Sequence, residues 1–159
     1  MLEPEKFIQD VARQAGGITL TFFKKAEIQY TKKDALDVVT QADLASNNFI
    51  IESIKRDFPN DGIISEETGE SNIEAEHVWI IDPLDGTLNF SKSIPAYTVL
   101  IARARKGVVE LAVIYDPIHD ELCFAERGEG AYLNGVRIEC SQMKNLNETV
   151  GCSSGNMRP

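Results

Sequence analysis

The stretch Trp79-Ile80-Ile81-Asp82-Pro83-Leu84-Asp85-Gly86-Thr87-Leu88-Asn89-Phe90 constrains the chain more than any other. It starts as an apolar run, the pattern of a buried strand. Proline has no N–H and drives the residue before it to an extended conformation, so the run breaks at Asp82-Pro83 with Asp82 fixed at the strand's end. Asp85-Gly86 is a turn dipeptide, and Thr87 can open a short helix. Two carboxylates three residues apart on a rigid strand-to-helix corner can converge on one hard cation. Leu84, between them, offers only its backbone carbonyl. The N–H groups at the helix start face the same space, and such N-termini bind phosphate oxygens. A metal with a phosphate is the chemistry that this corner suits; two ordinary surface turns are the plain alternative.

The remaining composition is compatible with that chemistry. At 159 residues the chain is long enough for one domain with a real core. No apolar run approaches bilayer length, and the acidic start Met1-Leu2-Glu3-Pro4-Glu5 is unlike a signal peptide, so a cytoplasmic protein with no membrane role is expected. A net charge of −9 disfavours direct nucleic-acid binding, which needs clustered Lys and Arg. It does not exclude a phosphate substrate, because acids gathered around divalent cations reverse the local charge. Cys123, Cys140 and Cys152 are widely spaced and odd in number, which indicates buried reduced thiols rather than a disulfide framework or zinc site. His77 and His119 lie in unrelated settings and suggest no catalytic cluster.

In chain order, Pro4 sits at a first helical position, and Phe7, Val11, Ala15, Ile18 and Phe22 form the stripe of an amphipathic helix. Gly16-Gly17 is unfavourable in a helix interior and marks either close packing or a weak point. Tyr30 to Ala35 reads as a mobile loop. Thr40, with Asp43 three residues on, resembles a capping box opening a second helix whose stripe is Leu44, Ile51, Ile54 and Phe58. By itself Asp43 reads as a helix-start residue before a catalytic one. Ile63 to Glu70 reads as a short strand delivering Glu66 and Glu67, which strand alternation would point to opposite faces, or else as an acidic loop.

The second half is β-rich. Tyr97 to Ala104 and Val108 to Tyr115 flank Arg105-Lys106-Gly107 as a hairpin, and Asp116-Pro117 ends its second arm. Glu121 to Glu126 is a further strand. Asn134-Gly135 between Ala131-Tyr132-Leu133 and Val136-Arg137-Ile138 is a two-residue hairpin signal. The expected fold is α+β, two N-terminal helices against a mostly antiparallel sheet.

Asp82 to Phe90 resembles the signature of the inositol monophosphatase family of metal-dependent, lithium-sensitive sugar phosphatases, although Leu88 stands where that family usually has Thr or Ser. Asp37-Val38-Val39-Thr40, followed by Asp43, is similar to the segment with which the family opens its second helix, and the pair Glu66-Glu67 matches a third family segment. The resemblance covers essentially the whole chain. It implies the N-terminal half of a layered αβαβα sandwich, usually a homodimer. Residues 1–150 would be the metal-site unit, and 151–159 the start of a C-terminal α/β half that carries a further metal-binding aspartate and most sugar contacts. On that footing the chain alone is expected to be weakly active or inactive.

The resemblance also implies roles. Glu66, Asp82, Asp85 and the Leu84 carbonyl would hold Mg²⁺, two or three ions in the complete fold, with Mn²⁺ as a substitute and Li⁺ as an inhibitor. Glu66 and Thr87 would orient and deprotonate water, Asp43 would hold Thr87, and the Gly86 and Thr87 N–H groups would cradle phosphate. Lys32 would lie on a loop near the metals, with Lys33 its neighbouring rival, and Glu67 in the outer part of the site. The implied reaction is hydrolysis of a phosphomonoester by metal-activated water, with inositol 1-phosphate as first candidate. Fructose 1,6-bisphosphate, a nucleotide 3′-phosphate and NADP 2′-phosphate are the alternatives. A role of another class, protein binding in transcription or RNA processing, is implied by some bacterial family members.

Overall fold

Two helices lie on one face of a single long sheet, and the reason is visible in where the polar and apolar residues fall. The computed structural model describes residues 3–23, 30–32, 38–145 and 147; for 30–32, 38 and 39 this is the backbone alone. Helix α1 (Pro4–Phe22) begins with proline, where a missing N–H has no helical partner to lose. Its buried face is Phe7, Ile8, Val11, Ala12, Ala15, Gly16 and Thr19. The expected stripe holds through Ala15 and then turns, leaving Ile18 and Phe22 only half-buried. The turn follows from Gly16, whose missing side chain lets the helix rest against Tyr115: a Cβ there would stand 2.6 Å from the ring. Gly17 has open space around it.

Helix α2 (Gln41–Asp57) follows a two-stranded antiparallel ladder of β1 (Tyr30–Lys32) and β2 (Val38–Thr40). Residues 30–32, expected as loop, are therefore strand, and 33–37 lie outside the described residues. Thr40 is the N-cap of α2, and the full capping box with Asp43 is present. The expected stripe on α2 needs correction. Leu44 is 45% exposed, Ile51 and Phe58 are half-buried, and the buried face is Ala42, Asp43, Ser46, Asn47, Ile50, Ser53 and Ile54. Four of those seven residues are polar, and Asp43, Ser46 and Asn47 meet hydrogen-bonding partners described below.

The remaining elements are β3 (Gly62–Ser65), β4 (Gly69–Ser71), β5 (His77–Asp85), α3 (Thr87–Ser91), β6 (Thr98–Arg105), β7 (Val108–Asp116), β8 (Glu121–Glu126), β9 (Gly130–Leu133) and β10 (Val136–Ile138). The eight strands run in the order β10-β9-β8-β7-β6-β5-β3-β4. Every neighbouring pair is antiparallel except β3 with β5. This is the expected α+β architecture. Asn134 and Gly135, at φ 48° and 80°, make the two-residue turn that the hairpin signal called for. The core between the helices and the sheet gathers Phe7, Ile8, Ile50, Ile54, Trp79, Ile101 and Val113. A second cluster, Ala42, Leu84, Phe90 and Tyr97, lies under the end of β5.

The cysteine expectation holds only in part: Cys123 and Cys140 are free, but Cys140 is exposed and Cys123 half-buried, and Cys152 lies outside the described residues. No helix among the described residues is long and apolar enough to cross a membrane.

The two adjacent glycines of α1 give opposite expected outcomes. Gly17→Ala should stabilise the fold by about 0.5–1 kcal/mol through helix propensity. Gly16→Ala should destabilise it by about 1–2 kcal/mol, because overpacking against Tyr115 outweighs the same gain. Urea midpoints of the two variants check this; stabilisation by both would refute the close approach.

Candidate metal and phosphate site

The strand β5 does not stop at Pro83, as expected from sequence, but runs on to Asp85. Its pairing with β6 slips between Asp82, opposite Leu100, and Asp85, opposite Thr98: three steps along β5 meet two along β6. That is a β-bulge at the one residue with no N–H to give to the ladder. The consequence is geometric. In a regular strand, residues three apart point to opposite faces. The extra residue restores parity, so Asp82 and Asp85 can serve the same side. Leu84, between them, is buried, and its N–H donates to Asp82 Oδ1 at 3.2 Å.

Glu66 arrives from β3, the parallel neighbour of β5. Its N–H donates to Ile81 O at 3.1 Å, which ties the residue after Ser65 to the residue before Asp82. The Glu66 and Asp82 carboxyls are neighbours. Burial pushes the Asp82 carboxyl up to about 7, with the charge and contact of Glu66 and the charge of Asp85 adding to it, against the Leu84 N–H that lowers it. No Lys, Arg or His among the described residues pairs with any of these three acids. As they stand, no three His, Cys, Asp or Glu side chains among the described residues form a group that could hold a metal ion. Uncompensated carboxylates with a backbone carbonyl and no nitrogen or sulfur donor fit a hard cation such as Mg²⁺.

Beside these acids, Gly86 turns the chain with φ 95° and caps α3. A Cβ at Gly86 would meet Ala96 O at 2.9 Å, so both the backbone angle and the space require glycine. Thr87 Oγ1 lies 3.0 Å from Asp43 Oδ1 and 3.0 Å from the Leu84 carbonyl oxygen. The other Asp43 oxygen accepts the Thr40 N–H at 2.9 Å and the Thr40 hydroxyl. Burial raises the Asp43 carboxyl, while the Thr40 and Thr87 hydrogen bonds hold it down. Asp43 is thus both the helix-start residue and the partner of Thr87; the two readings of it are one arrangement.

Glu66 and Asp85 are exposed and Glu67 is half-buried, with its N–H 3.3 Å from Ser65 Oγ. Lys32 pairs with Val38 through its backbone, and its side chain is outside the described residues, as is Lys33. Sequence reasoning passed over Ser46, Asn47 and Ser65. Ser46 Oγ donates to Pro83 O at 2.9 Å, and Ser65 Oγ donates to Asn47 Oδ1 at 2.6 Å. The signal was there: polar residues at three- and four-residue steps from Asp43 on one helix face.

The sequence model of the inositol monophosphatase family matches residues 3–158. The Nus factor SuhB of Escherichia coli K12 is 40% identical over 141 residues, 87% of this chain and 53% of that protein. The extragenic suppressor protein suhB from Bartonella henselae has a similar crystal structure, with a TM-score of 0.85 and 36% identity, covering 89% of this chain and 55% of that one. An IMPase/NADP phosphatase crystallised with Mg²⁺ and phosphate gives a TM-score of 0.75 and 32% identity, covering 84% of this chain and 51% of that one. The chain spans about half the length of the curated relatives it matches.

The raised Asp82 carboxyl makes a signed prediction for the metal-free chain. A folded-state value above the ordinary 3.8 means that the folded form keeps its proton longer than the unfolded form. The associated stability is present below about pH 4 and is lost as pH rises through 7. For a half-buried group, solvent screening reduces the loss to about 1–2 kcal/mol. Asp82→Asn should lack this component, so the stability difference between variant and parent should move in the variant's favour by that amount between pH 4 and pH 7.5. Parallel urea curves across the range would refute it.

Proposed function

The chain belongs to the inositol monophosphatase family, and from that premise we propose that it carries the Mg²⁺ half-site of a phosphatase acting on inositol 1-phosphate or a related sugar phosphate. The observation that carries the reading is the bulge at Pro83, which lets Asp82 and Asp85 serve one side of β5 beside Glu66. In this reading Glu66, Asp82, Asp85 and the Leu84 carbonyl hold the cation. When bound, Mg²⁺ supplies positive charge to the phosphate and its leaving oxygen and lowers the pKa of water.

The chain's own residues do the rest. A hydroxyl has one proton, so when Thr87 donates it to Asp43 the Leu84 carbonyl is released from Thr87 and the Thr87 lone pairs are free to accept from water. Thr87 and Glu66 thus orient a water; its proton goes to the Glu66 carboxylate, or to Thr87 as Thr87 passes its own proton to Asp43. The Gly86 and Thr87 N–H groups open α3, where first-turn donors have no intrahelical acceptor, and they face phosphate oxygens. A nucleophilic Ser, Cys or His is not needed. Residues 1–150 form the metal-site unit in this reading, and a further α/β half beginning at 151–159 supplies the remaining ligand and the substrate contacts. Which phosphomonoester is taken depends on that half; the similar structure with Mg²⁺ and phosphate is an IMPase/NADP phosphatase, which keeps NADP 2′-phosphate among the candidates.

A second reading is favoured by one finding, the name Nus factor borne by the Escherichia coli relative. A protein-binding role in transcription fits the net charge of −9 better than direct contact with RNA does.

The test is Mg²⁺ binding by calorimetry together with phosphate release from inositol 1-phosphate, with and without Li⁺. Asp82→Asn should abolish binding at the main site and any lithium-sensitive turnover. Unchanged Mg²⁺ affinity in Asp82→Asn would overturn the site. A partner retained by an Asp82→Asn, Asp85→Asn chain would support the second reading independently of catalysis.

A further inference from the structure

The face of α2 that holds Asp43 carries three more buried polar side chains, Ser46, Asn47 and Ser53, to which the proposed reaction gives no task. Asn47 is fully buried, one turn beyond Asp43. Its Oδ1 accepts the Ser65 hydroxyl at 2.6 Å, and its Nδ2 has no hydrogen-bond partner among the described residues. An amide buried with one atom unpaired is unfavourable, and an apolar side chain of similar size would not carry that penalty. What the amide does accomplish is local. Ser65 is the last residue of β3, and its Oγ in turn accepts the Glu67 N–H at 3.3 Å. Glu66 sits between those two anchored residues, with its own N–H on Ile81 O. Its side chain is exposed.

We propose that Asn47 is a positioning residue for Glu66, acting through the Ser65 hydroxyl to set where the end of β3 delivers that carboxylate to the cation. This rests on the Mg²⁺ reading of the site. Asn47 touches neither metal nor substrate; it fixes the backbone on both sides of a ligand, the kind of outer support whose removal weakens metal sites by about tenfold or more.

Threonine and valine have the same shape and differ only in the hydroxyl, so Ser65→Thr and Ser65→Val separate the hydrogen bond from packing. Ser65→Val and Asn47→Leu should each weaken Mg²⁺ affinity about tenfold by calorimetry. Ser65→Thr should retain the parent's affinity. The double variant Asn47→Leu, Ser65→Val should bind no more weakly than either single, because both break one link. Amide exchange at Glu66 and Glu67, followed by NMR without metal, should quicken in Ser65→Val and not in Ser65→Thr. Equal affinity and exchange in the Thr and Val variants, with Asp82-dependent Mg²⁺ binding intact in the parent, would overturn the positioning role alone. A parent chain that binds no Mg²⁺ would overturn the site reading and this proposal with it.

Discussion

One missing hydrogen-bond donor organises this molecule. Pro83 interrupts the ladder of β5 where every other residue of the strand can pair, and the sheet answers with a bulge rather than an end. Had the strand stopped there, Asp82 would be its last residue and Asp85 a loop residue with no fixed relation to it. Had it continued without a bulge, the two acids would face opposite sides. The bulge keeps both on the scaffold, buries Leu84 in the cluster with Phe90 and Tyr97, and hands the chain directly to the Gly86 turn.

The second constraint is the buried polar face of α2. Asp43 meets Thr87, Ser46 meets the Pro83 carbonyl, and Asn47 meets Ser65. Three successive contacts from one helix thus reach the three segments that bear Thr87, the Asp82-Asp85 bulge and Glu66. Helix α1 shows the alternative, with a face almost wholly apolar and an approach to the sheet set by Gly16 against Tyr115. Apolar packing is tolerant of small rotations and slides. Directional hydrogen bonds are less so, which suits a helix that sets the spacing between chemically active groups.

Much of this was legible in the sequence. The apolar run into Asp82-Pro83, the Thr40–Asp43 capping box and the Asn134-Gly135 turn are local patterns, determined within a few residues, and they appear where expected. The misses share a cause. Periodicity puts Leu44 in the core, yet Ser46 and Asn47 take the inner face, since their partners on β5 and β3 lie far away in sequence. The strand at 30–32 was missed because its pairing with 38–40 is weakly patterned and short. The bulge depends on the register with β6, which no single strand encodes. Tertiary partners override propensity in each case.

The two ends of β5 meet their carboxylates under opposite conditions. At its start, Trp79 Nε1 donates to Asp61 Oδ2 at 2.9 Å, and the Arg103 guanidinium reaches the same oxygen from β6 at 3.0 Å while lying 5.3 Å from the Trp79 ring centroid. A half-buried carboxylate is there matched by a buried cation, and Trp79 opposite Arg103 locks the β5–β6 register. With that end locked, the slip forced by Pro83 can be absorbed only at the far end. There the acids have no such partner among the described residues, and Asp82 retains its proton up to about 7. One end of β5 therefore meets a carboxylate satisfied within the fold, Asp61 just before β3, while the other end bears acids left in want of positive charge. Half-burial of Asp82 beside two further acids is destabilising unless something from solution relieves it, and a divalent cation has the charge and the oxygen preference to do so.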